Sequence, residues 1–242
     1  MNRYRRVGCW LVMGLGPWLF GACSSSEEAD EGEDCKVDTS YAPTIDPANF
    51  VAGVDNPLFP LVPGTTYIYE AGPETVETTV TNETKVILGV TSVVVRDTAK
   101  LNGEVIEDTF DWYAQDKDGA VWYMGEDTKE LDSGKVVSTE GSWEAGVDGA
   151  KPGYIIPPNI QVGQSWRQEY YACEAEDEAE ALDLNASETV PFGSYTGCLK
   201  THDYTGLDSS LNENKVYCPG VGLVVAIDMN SGEREELKSK TP

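Results

Sequence analysis

The sequence is poor in the residues that most catalytic and metal sites require. It has one histidine, His202, in 242 residues, so a histidine-activated nucleophile could use only that residue. The centre of Gly193-Ser194-Tyr195-Thr196-Gly197 is a tyrosine, so this segment is not a nucleophile elbow. The chain has no phosphate loop or dinucleotide fingerprint, and its cysteines lack the paired spacing of a zinc site. We therefore expect no catalytic constellation, no metal and no cofactor.

Basic residues are also scarce. The chain has 17 Lys+Arg against 42 Asp+Glu. Arg3, Arg5 and Arg6 lie in the first six positions, and no acid precedes Glu27, so the part after residue 22 carries 14 basic and 42 acidic groups, a net charge of −28. Such a field repels nucleic acid and anionic lipid headgroups and suits cations or basic partners. Solvation of a surface domain explains the same composition. We expect no nucleic-acid partner.

The longest apolar stretch lies at the N-terminus and is too short to span a bilayer as a helix. A basic segment precedes Val7–Phe20, and the small residues Gly21 and Ala22 follow it, before Cys23. This layout is that of an export signal. The ending Leu-Phe-Gly-Ala-Cys resembles the lipobox of bacterial lipoproteins. The resemblance implies that residues 1–22 are a lipoprotein signal peptide and that Cys23 carries lipid, whose several acyl chains give a stable membrane anchor. An ordinary signal peptide cut after Ala22 is the alternative.

Residues 23–40 are predicted to be a lipidated cysteine followed by an acidic, flexible tether. The run from Ser24 to Asp34 is small, polar and acidic, so it cannot bury a core and repels itself. By resemblance to the sorting rules of Gram-negative bacteria, serine after the lipidated cysteine favours the outer membrane. We expect an exported protein that is held at a membrane by its lipid.

Residues 41–242 are predicted to form a single β-rich domain. Strand-like runs alternate with turn signals, of which Asn102-Gly103, Asp116–Gly119, Ser133-Gly134 and Asn230–Gly232 are typical of hairpins. We expect an all-β, mainly antiparallel fold: a curled meander sheet, an open barrel or a sandwich, with little or no helix outside the signal segment. The segment Glu174–Leu184 could be a helix, a polar strand or a loop.

Several segments of the domain resemble a widespread class of uncharacterised bacterial secreted proteins and lipoproteins. The similarity spans about residues 45 to 238 and implies no assigned activity. The segments are Asn56–Tyr67 (NPLFPLVPGTTY), Asp111–Asp116 (DWYAQD), Val121–Thr128 (VWYMGEDT), Gly141–Gly149 (GSWEAGVDG), Arg167–Tyr171 (RQEYY) and Pro219–Val224 (PGVGLV).

Four cysteines remain after the lipidated one, and an even number in an exported protein suggests two disulfides. We expect Cys198 to pair with Cys218, because their strands could be neighbours, which leaves Cys35 with Cys173. Free thiols are the alternative.

The hairpin around Asp116–Gly119 carries the aromatic residues that best suit a binding site. Residues Ile106, Asp108, Phe110 and Trp112 share one face, and Thr109, Asp111 and Tyr113 share the other. The simpler interpretation is that Trp112 and Trp122 fill the core. The alternative places part of the aromatic set around a concave ligand site, with Tyr113 and Tyr123 as ligand-binding residues and Arg167 or Glu169 orienting a polar end.

Two classes of function follow. The first is a membrane-anchored binding or structural surface domain that takes an apolar small molecule or a protein partner. The second is a carboxylate-dependent hydrolase acting on glycans, for which Asp108, Asp111, Glu126 and Asp127 could form an acidic patch. The lack of a nucleophile–base pair favours the first class.

Overall fold

The structure is a computed structural model that describes residues 36–242. The predicted signal peptide, Cys23, Cys35 and most of the predicted tether lie outside the described residues. No helix in the described part of the chain is long and apolar enough to cross a membrane.

The domain is built almost entirely of antiparallel strands, which confirms the predicted all-β fold with little helix. One 3-10 turn, Pro47–Asn49, precedes the sheet. The strands are β1 (Thr66–Ala71), β2 (Glu74–Ile87), β3 (Val90–Leu101), β4 (Glu104–Gln115), β5 (Val121–Asp132), β6 (Lys135–Ser138), β7 (Trp143–Glu144), β8 (Lys151–Ile156), β9 (Ser165–Arg167), β10 (Glu169–Tyr170), β11 (Asp177–Val190), β12 (Gly193–Thr205), β13 (Asn212–Cys218), β14 (Gly222–Asp228) and β15 (Arg234–Thr241).

Consecutive hairpins make up two meanders that share a border. Strands β1 to β5 pair in sequence order, β11 to β15 do the same, and β1 pairs with β15. The turn signals act as the sequence predicts: Asn102 and Gly103 both have positive φ, 53° and 85°, as a two-residue hairpin turn requires. The ambiguous segment 174–184 enters β11 and is therefore mostly strand.

Residues 165–170 bring the two ends of the sheet together. Strand β9 pairs with β11, and β10, after a break at Gln168, pairs with β8, which continues the sheet from β5. The Gln168 backbone N–H donates to the Asp177 carbonyl over 2.7 Å. The sheet therefore curls into a nearly closed barrel, since the strand segments that close it lie on one short piece of chain.

Gly153 lies against this closing segment. A Cβ at Gly153 would stand 2.4 Å from the Gln168 carbonyl carbon and oxygen, so only a residue without a side chain fits. We predict that Gly153→Ala lowers the free energy of unfolding by about 3 kcal/mol, since backbone must shift to admit the methyl group. Urea denaturation checks this. Gly206→Ala is the matched control, because nothing lies within 4 Å of its Cβ position; an equal loss in both variants contradicts the prediction.

The disulfide between Cys198 and Cys218 is confirmed: it joins β12 to β13, with Cα atoms 4.3 Å apart and 20 residues of separation. Cys173 is also disulfide-bonded, and its predicted partner Cys35 lies outside the described residues. We predict that Cys198→Ala/Cys218→Ala loses about 3 kcal/mol of stability, because the open chain gains loop entropy when unfolded. Denaturation under matched conditions measures the loss, and an unchanged midpoint argues against it.

The first described residues pack on the outside of the barrel. Asp38 accepts a hydrogen bond from Arg167 over 3.2 Å, and the Tyr41 hydroxyl donates to the Pro152 carbonyl over 2.7 Å. Lys151 Nζ donates to the carbonyls of both Asp38 and Tyr41. The chain is therefore fixed to the domain from Asp38, two residues before the predicted end of the tether.

Candidate functional site

One end of the barrel interior is aromatic. Tyr113 and Tyr123 are opposite each other in the β4–β5 register, and their rings stack at 5.0 Å between centroids. The Trp143 ring meets Tyr123 edge-on at 5.3 Å. Phe59 touches Tyr113 at 5.1 Å and Tyr217 at 6.3 Å. Because β4 and β13 are distant in the sheet order, a ring that contacts both lies across the inside of the barrel.

The proline-rich segment 54–64 covers this end. Gln115 Oε1 accepts from the backbone N–H groups of Asp55 and Asn56, each at 2.8 Å. The Gly220 N–H donates to the Pro57 carbonyl over 2.7 Å. Because prolines cannot donate to a strand ladder, the segment does not join the sheet. Its hydrogen bonds to the end of β4 and to the β13–β14 turn hold it across the mouth of the barrel, and Phe59 contacts the interior rings from there.

The two tryptophans of the hairpin are buried on the outer face of the sheet. Lys85 Nζ lies 3.2 Å from the centroid of a Trp112 ring, and Trp122 contacts the rings of Phe50 and Tyr154 at 6.0 and 4.0 Å. Trp122 Nε1 also donates to Asp116 over 2.9 Å. Both tryptophans therefore belong to the apolar core, and they are buried between the sheet and the residues that cover its outer face. The opposite face of the same strands, which bears Tyr113, lines the barrel.

Acids also line the interior. Strand alternation turns an acidic residue inward on nine of the fifteen strands, and these acids are less than a tenth exposed: Glu74, Asp97, Asp111, Glu126, Glu169, Asp177, Asp203, Glu213 and Glu235. Among residues 36–242 the one buried lysine or arginine is Lys215. Buried carboxylates are costly unless they are paired or protonated, so the charge state of this interior affects the stability of the fold.

Lys215 is held by two of these acids. Its Nζ lies 3.2 Å from Asp203 Oδ2 and 3.7 Å from Glu213 Oε2. Asp203 also accepts hydrogen bonds from Gln168 Nε2 over 3.1 Å and from the Thr201 hydroxyl. The Lys215 ammonium group is therefore buried between the carboxyl groups of Asp203 and Glu213.

Glu126 on β5 and Glu169 on β10 belong to the same group of interior carboxyls, in which Glu169 acts electrostatically on Glu126. Burial raises the pKa of both carboxyls well above the ordinary glutamate value, and neighbouring acids raise it further: Glu169 and Asp111 act on Glu126, and Asp177 acts on Glu169. A hydrogen bond of 2.8 Å from Trp143 Nε1 to Glu169 Oε2 partly opposes the shift. Asp111 accepts from the Tyr123 hydroxyl over 2.6 Å, which ties the acids to the aromatic end.

Glu235 differs from the other buried acids in its surroundings. It is 1% exposed, and neither of its carboxyl oxygens has a hydrogen-bond partner in the described part of the chain. Burial raises its pKa well above the ordinary value, and Glu74, Glu213 and Asp97 raise it further, whereas Lys215 lowers it. A buried carboxyl with no hydrogen bond is rare in folded proteins.

The structure brings together three of the four predicted ligand-binding residues. Tyr113, Tyr123 and Glu169 belong to the interior, linked through Trp143. Arg167 lies on the outer face, where Asp38, Glu176 and Glu178 surround it at 3.2, 3.7 and 3.6 Å. The break between β9 and β10 explains the separation, because it interrupts the alternation that would place residues 167 and 169 on one face.

The acidic patch proposed for a hydrolase is also divided. Asp111 and Glu126 are register partners inside the barrel. Asp108 pairs with Arg96 at 2.7 Å and Asp127 with Lys129 at 2.8 Å, both on the outer face.

Sequence reasoning missed Glu74, Asp203, Lys215 and Glu235. One signal was present: in Glu74-Thr75-Val76-Glu77-Thr78 and in Glu235-Glu236-Leu237 an acid shares its face with an aliphatic residue. Acids occupy the other face of the same strands equally often, so the alternation alone could not identify the buried ones.

Within residues 36–242 no group of three or more His, Cys, Asp or Glu side chains is arranged to hold a metal ion. Comparison of the chain with protein-family models, with curated proteins and with solved structures finds no match.

Proposed function

We propose that the protein is an exported lipoprotein, anchored by lipid on Cys23, whose barrel interior binds a small molecule with an apolar body and a polar end. The observation that carries this proposal is the continuous interior set of Tyr113, Tyr123, Trp143 and Glu169. Aromatic walls with a few convergent polar groups are typical of small-molecule sites.

Binding is favoured over catalysis because the single histidine stands apart from the interior. His202 Nε2 is 2.9 Å from Asn212 Oδ1, and its ring lies beside Tyr204. Thr201 and Asp203, its neighbours on β12, are the residues that turn inward. His202 therefore lies on the face opposite the interior, where it is hydrogen-bonded to an amide, and it cannot activate a nucleophile in the interior.

Native mass spectrometry of the protein, released from membranes in mild detergent, tests the proposal. We expect a bound small molecule that dissociates on denaturation. Tyr123→Phe, which removes the hydroxyl donated to Asp111, should weaken its retention. Tyr195→Phe is the control, because Tyr195 lies in the β11–β12 hairpin away from the site. A protein that carries no ligand, and takes none from cell extract, contradicts the proposal.

A separate prediction concerns the proposed lipid anchor at Cys23. Cys23→Ser removes the only atom that could receive the lipid in the proposed lipobox, so we expect the domain to be released from membranes or to accumulate as uncut precursor. Fractionation followed by mass analysis distinguishes the two forms. A processed mutant that still sediments with membranes shows that the anchor lies elsewhere.

A hydrolase is the second candidate, favoured by one observation. Glu126 has a raised pKa, chiefly because it is buried, beside the interior carboxyl of Asp111, and glycosidases use such a protonated acid next to a second carboxylate. Assays with aryl glycosides test it: activity that Glu126→Gln abolishes supports a hydrolase, and no turnover rejects it.

A further inference from the structure

The end of the barrel opposite the proline-rich cover gathers carboxyls from several strands. Glu235 is on β15, and the groups that act on it electrostatically are Glu74 on β2, Asp97 on β3, and Glu213 and Lys215 on β13. Tyr69 on β1 is also within range of Glu235, and β14 places Ala226 opposite it. We call Glu74, Asp97, Glu213 and Glu235 the acidic cluster, and Lys215 is the cation that acts on Glu235 within it.

Glu235 is the member of the acidic cluster with unused hydrogen-bonding capacity. Both of its oxygens are buried and lack a donor in the described part of the chain. A carboxylate can accept several charge-assisted hydrogen bonds. The adjacent Lys215 shows that this interior accommodates an ammonium group at 3.2 Å from a carboxylate.

The acidic cluster lies close to solvent although its side chains are buried. Glu74 directly follows the exposed Gly72–Pro73 turn, and Glu235 follows the exposed turn at residues 229–232. The two turns are neighbours, because a Cβ at Gly72 would lie 3.6 Å from Glu233 Oε1. Glu235 and Glu74 therefore lie within a few residues of two neighbouring exposed turns.

We propose that the barrel binds a small organic cation, a primary ammonium group on an apolar chain, and that the carboxylate of Glu235 receives the ammonium. This inference rests on the proposed function and adds the chemistry of the ligand's polar end, which it places at Glu235 rather than at Glu169. Tyr67 and Tyr69, stacked at 6.5 Å on the neighbouring strand, supply apolar aromatic surface for the chain of the ligand. The strongly acidic exterior draws cations toward the protein.

Binding should release protons. In the ligand-free protein, burial among Glu74, Asp97 and Glu213 raises the pKa of Glu235 by more than the attraction of Lys215 lowers it. An incoming ammonium stabilises the ionised form, so the carboxyl O–H bond breaks and the proton passes to solvent. The affinity for the ammonium ligand should therefore rise with pH, up to the pH at which Glu235 is already ionised in the ligand-free protein.

Isothermal titration of the lipid-anchored protein in detergent tests the inference with hexylamine as the probe and hexanol as its neutral counterpart. We expect hexylamine to bind and to release protons, seen as a binding heat that depends on the ionisation enthalpy of the buffer. Glu235→Gln should weaken binding by more than about tenfold, while Glu236→Gln, a change at the next residue on the outer face where Glu236 pairs with Arg234 at 2.7 Å, should leave it unchanged.

Several outcomes overturn the inference. These are equal weakening in both variants, hexanol binding as tightly as hexylamine, absence of proton release by the wild-type protein, and calcium rather than hexylamine depending on Glu235. The proton-release measurement uses no variant, so it decides even if Glu235→Gln fails to fold. If the protein co-purifies with a neutral ligand whose retention does not depend on Glu235, the proposal of an organic cation is wrong and the proposed function is retained.

Discussion

Raising the pH from about 5 to 9 is expected to destabilise the folded domain by several kcal/mol, because a raised carboxyl pKa in the folded state costs stability once that group ionises on unfolding. Burial raises the pKa of Glu107 from an ordinary 4.5 to about 7. It raises those of Glu126, Glu169 and Glu235 well above the ordinary value. For Glu107 alone the shift corresponds to about 3 kcal/mol, at about 1.4 kcal/mol for each pKa unit.

The direction follows from proton binding. Between pH 4.5 and 7 the folded state keeps the Glu107 proton that the unfolded chain has already lost, so the free energy of unfolding falls as the pH rises through this window. The raised pKa values of Glu126, Glu169 and Glu235 add to the fall in the same direction. Tyrosines continue it at high pH, since burial raises the pKa of Tyr67 to about 12.

Urea denaturation at a series of pH values measures this dependence. Lowering the pH also reduces the net negative charge and therefore the repulsion within the folded state, which stabilises the fold for a second reason. A variant pair separates the two causes. Glu235→Gln should flatten the curve above pH 5 because it removes a buried ionisable group, and Glu236→Gln should not. Stability that is constant, or that rises from pH 5 to 9, contradicts a buried carboxyl interior.

Replacing Lys215 by methionine is expected to cost about 3–5 kcal/mol at pH 8, because removing one member of a buried ion pair leaves an uncompensated charge. Lys215 is 3% exposed and lies 3.2 Å from Asp203.

Lys238→Met is the matched control, since Lys238 pairs with Glu70 at 3.2 Å and both side chains are about half exposed. Exposed pairs contribute less than about 1 kcal/mol. Adding Asp203→Asn to Lys215→Met should restore part of the stability, because it removes the carboxylate that lost its cation. Equal, small effects of the two lysine changes would show that Lys215 is not buried among acids.

The strands and their turns could be predicted because local chemistry determines them. Asn102-Gly103 adopts the positive φ angles of a tight hairpin, and the bridge between Cys198 and Cys218 follows from neighbouring strands. These features depend on residues close in sequence or directly opposite each other.

The inner face could not be predicted from the pattern of β4. Ile106, Phe110 and Trp112 make one face the more apolar, yet Thr109, Asp111 and Tyr113 line the barrel. Trp112 is buried from outside, under Lys85. The choice of inner face depends on barrel closure and on what covers the outside, which are both long-range properties.

The position of Arg167 illustrates a second limit. A regular strand would place Arg167 and Glu169 on one face. Because the strand breaks at Gln168, both Gln168 and Glu169 point into the barrel, where Gln168 donates to Asp203 and Glu169 accepts from Trp143. Such an irregularity arises where two ends of a sheet join and has no signature in the local sequence.

A carbon-detected NMR titration of the glutamate side chains tests the central claim, that burial raises the pKa values of the carboxyl groups in the barrel interior, most directly. The structure predicts that the pKa values of Glu126, Glu169 and Glu235 lie well above the ordinary glutamate value, and that Glu107 titrates near 7. Variants at each position assign the signals. If every glutamate carboxyl titrates near its ordinary pKa of 4.5, the interior is hydrated and charged, and the claim of raised interior pKa values is wrong.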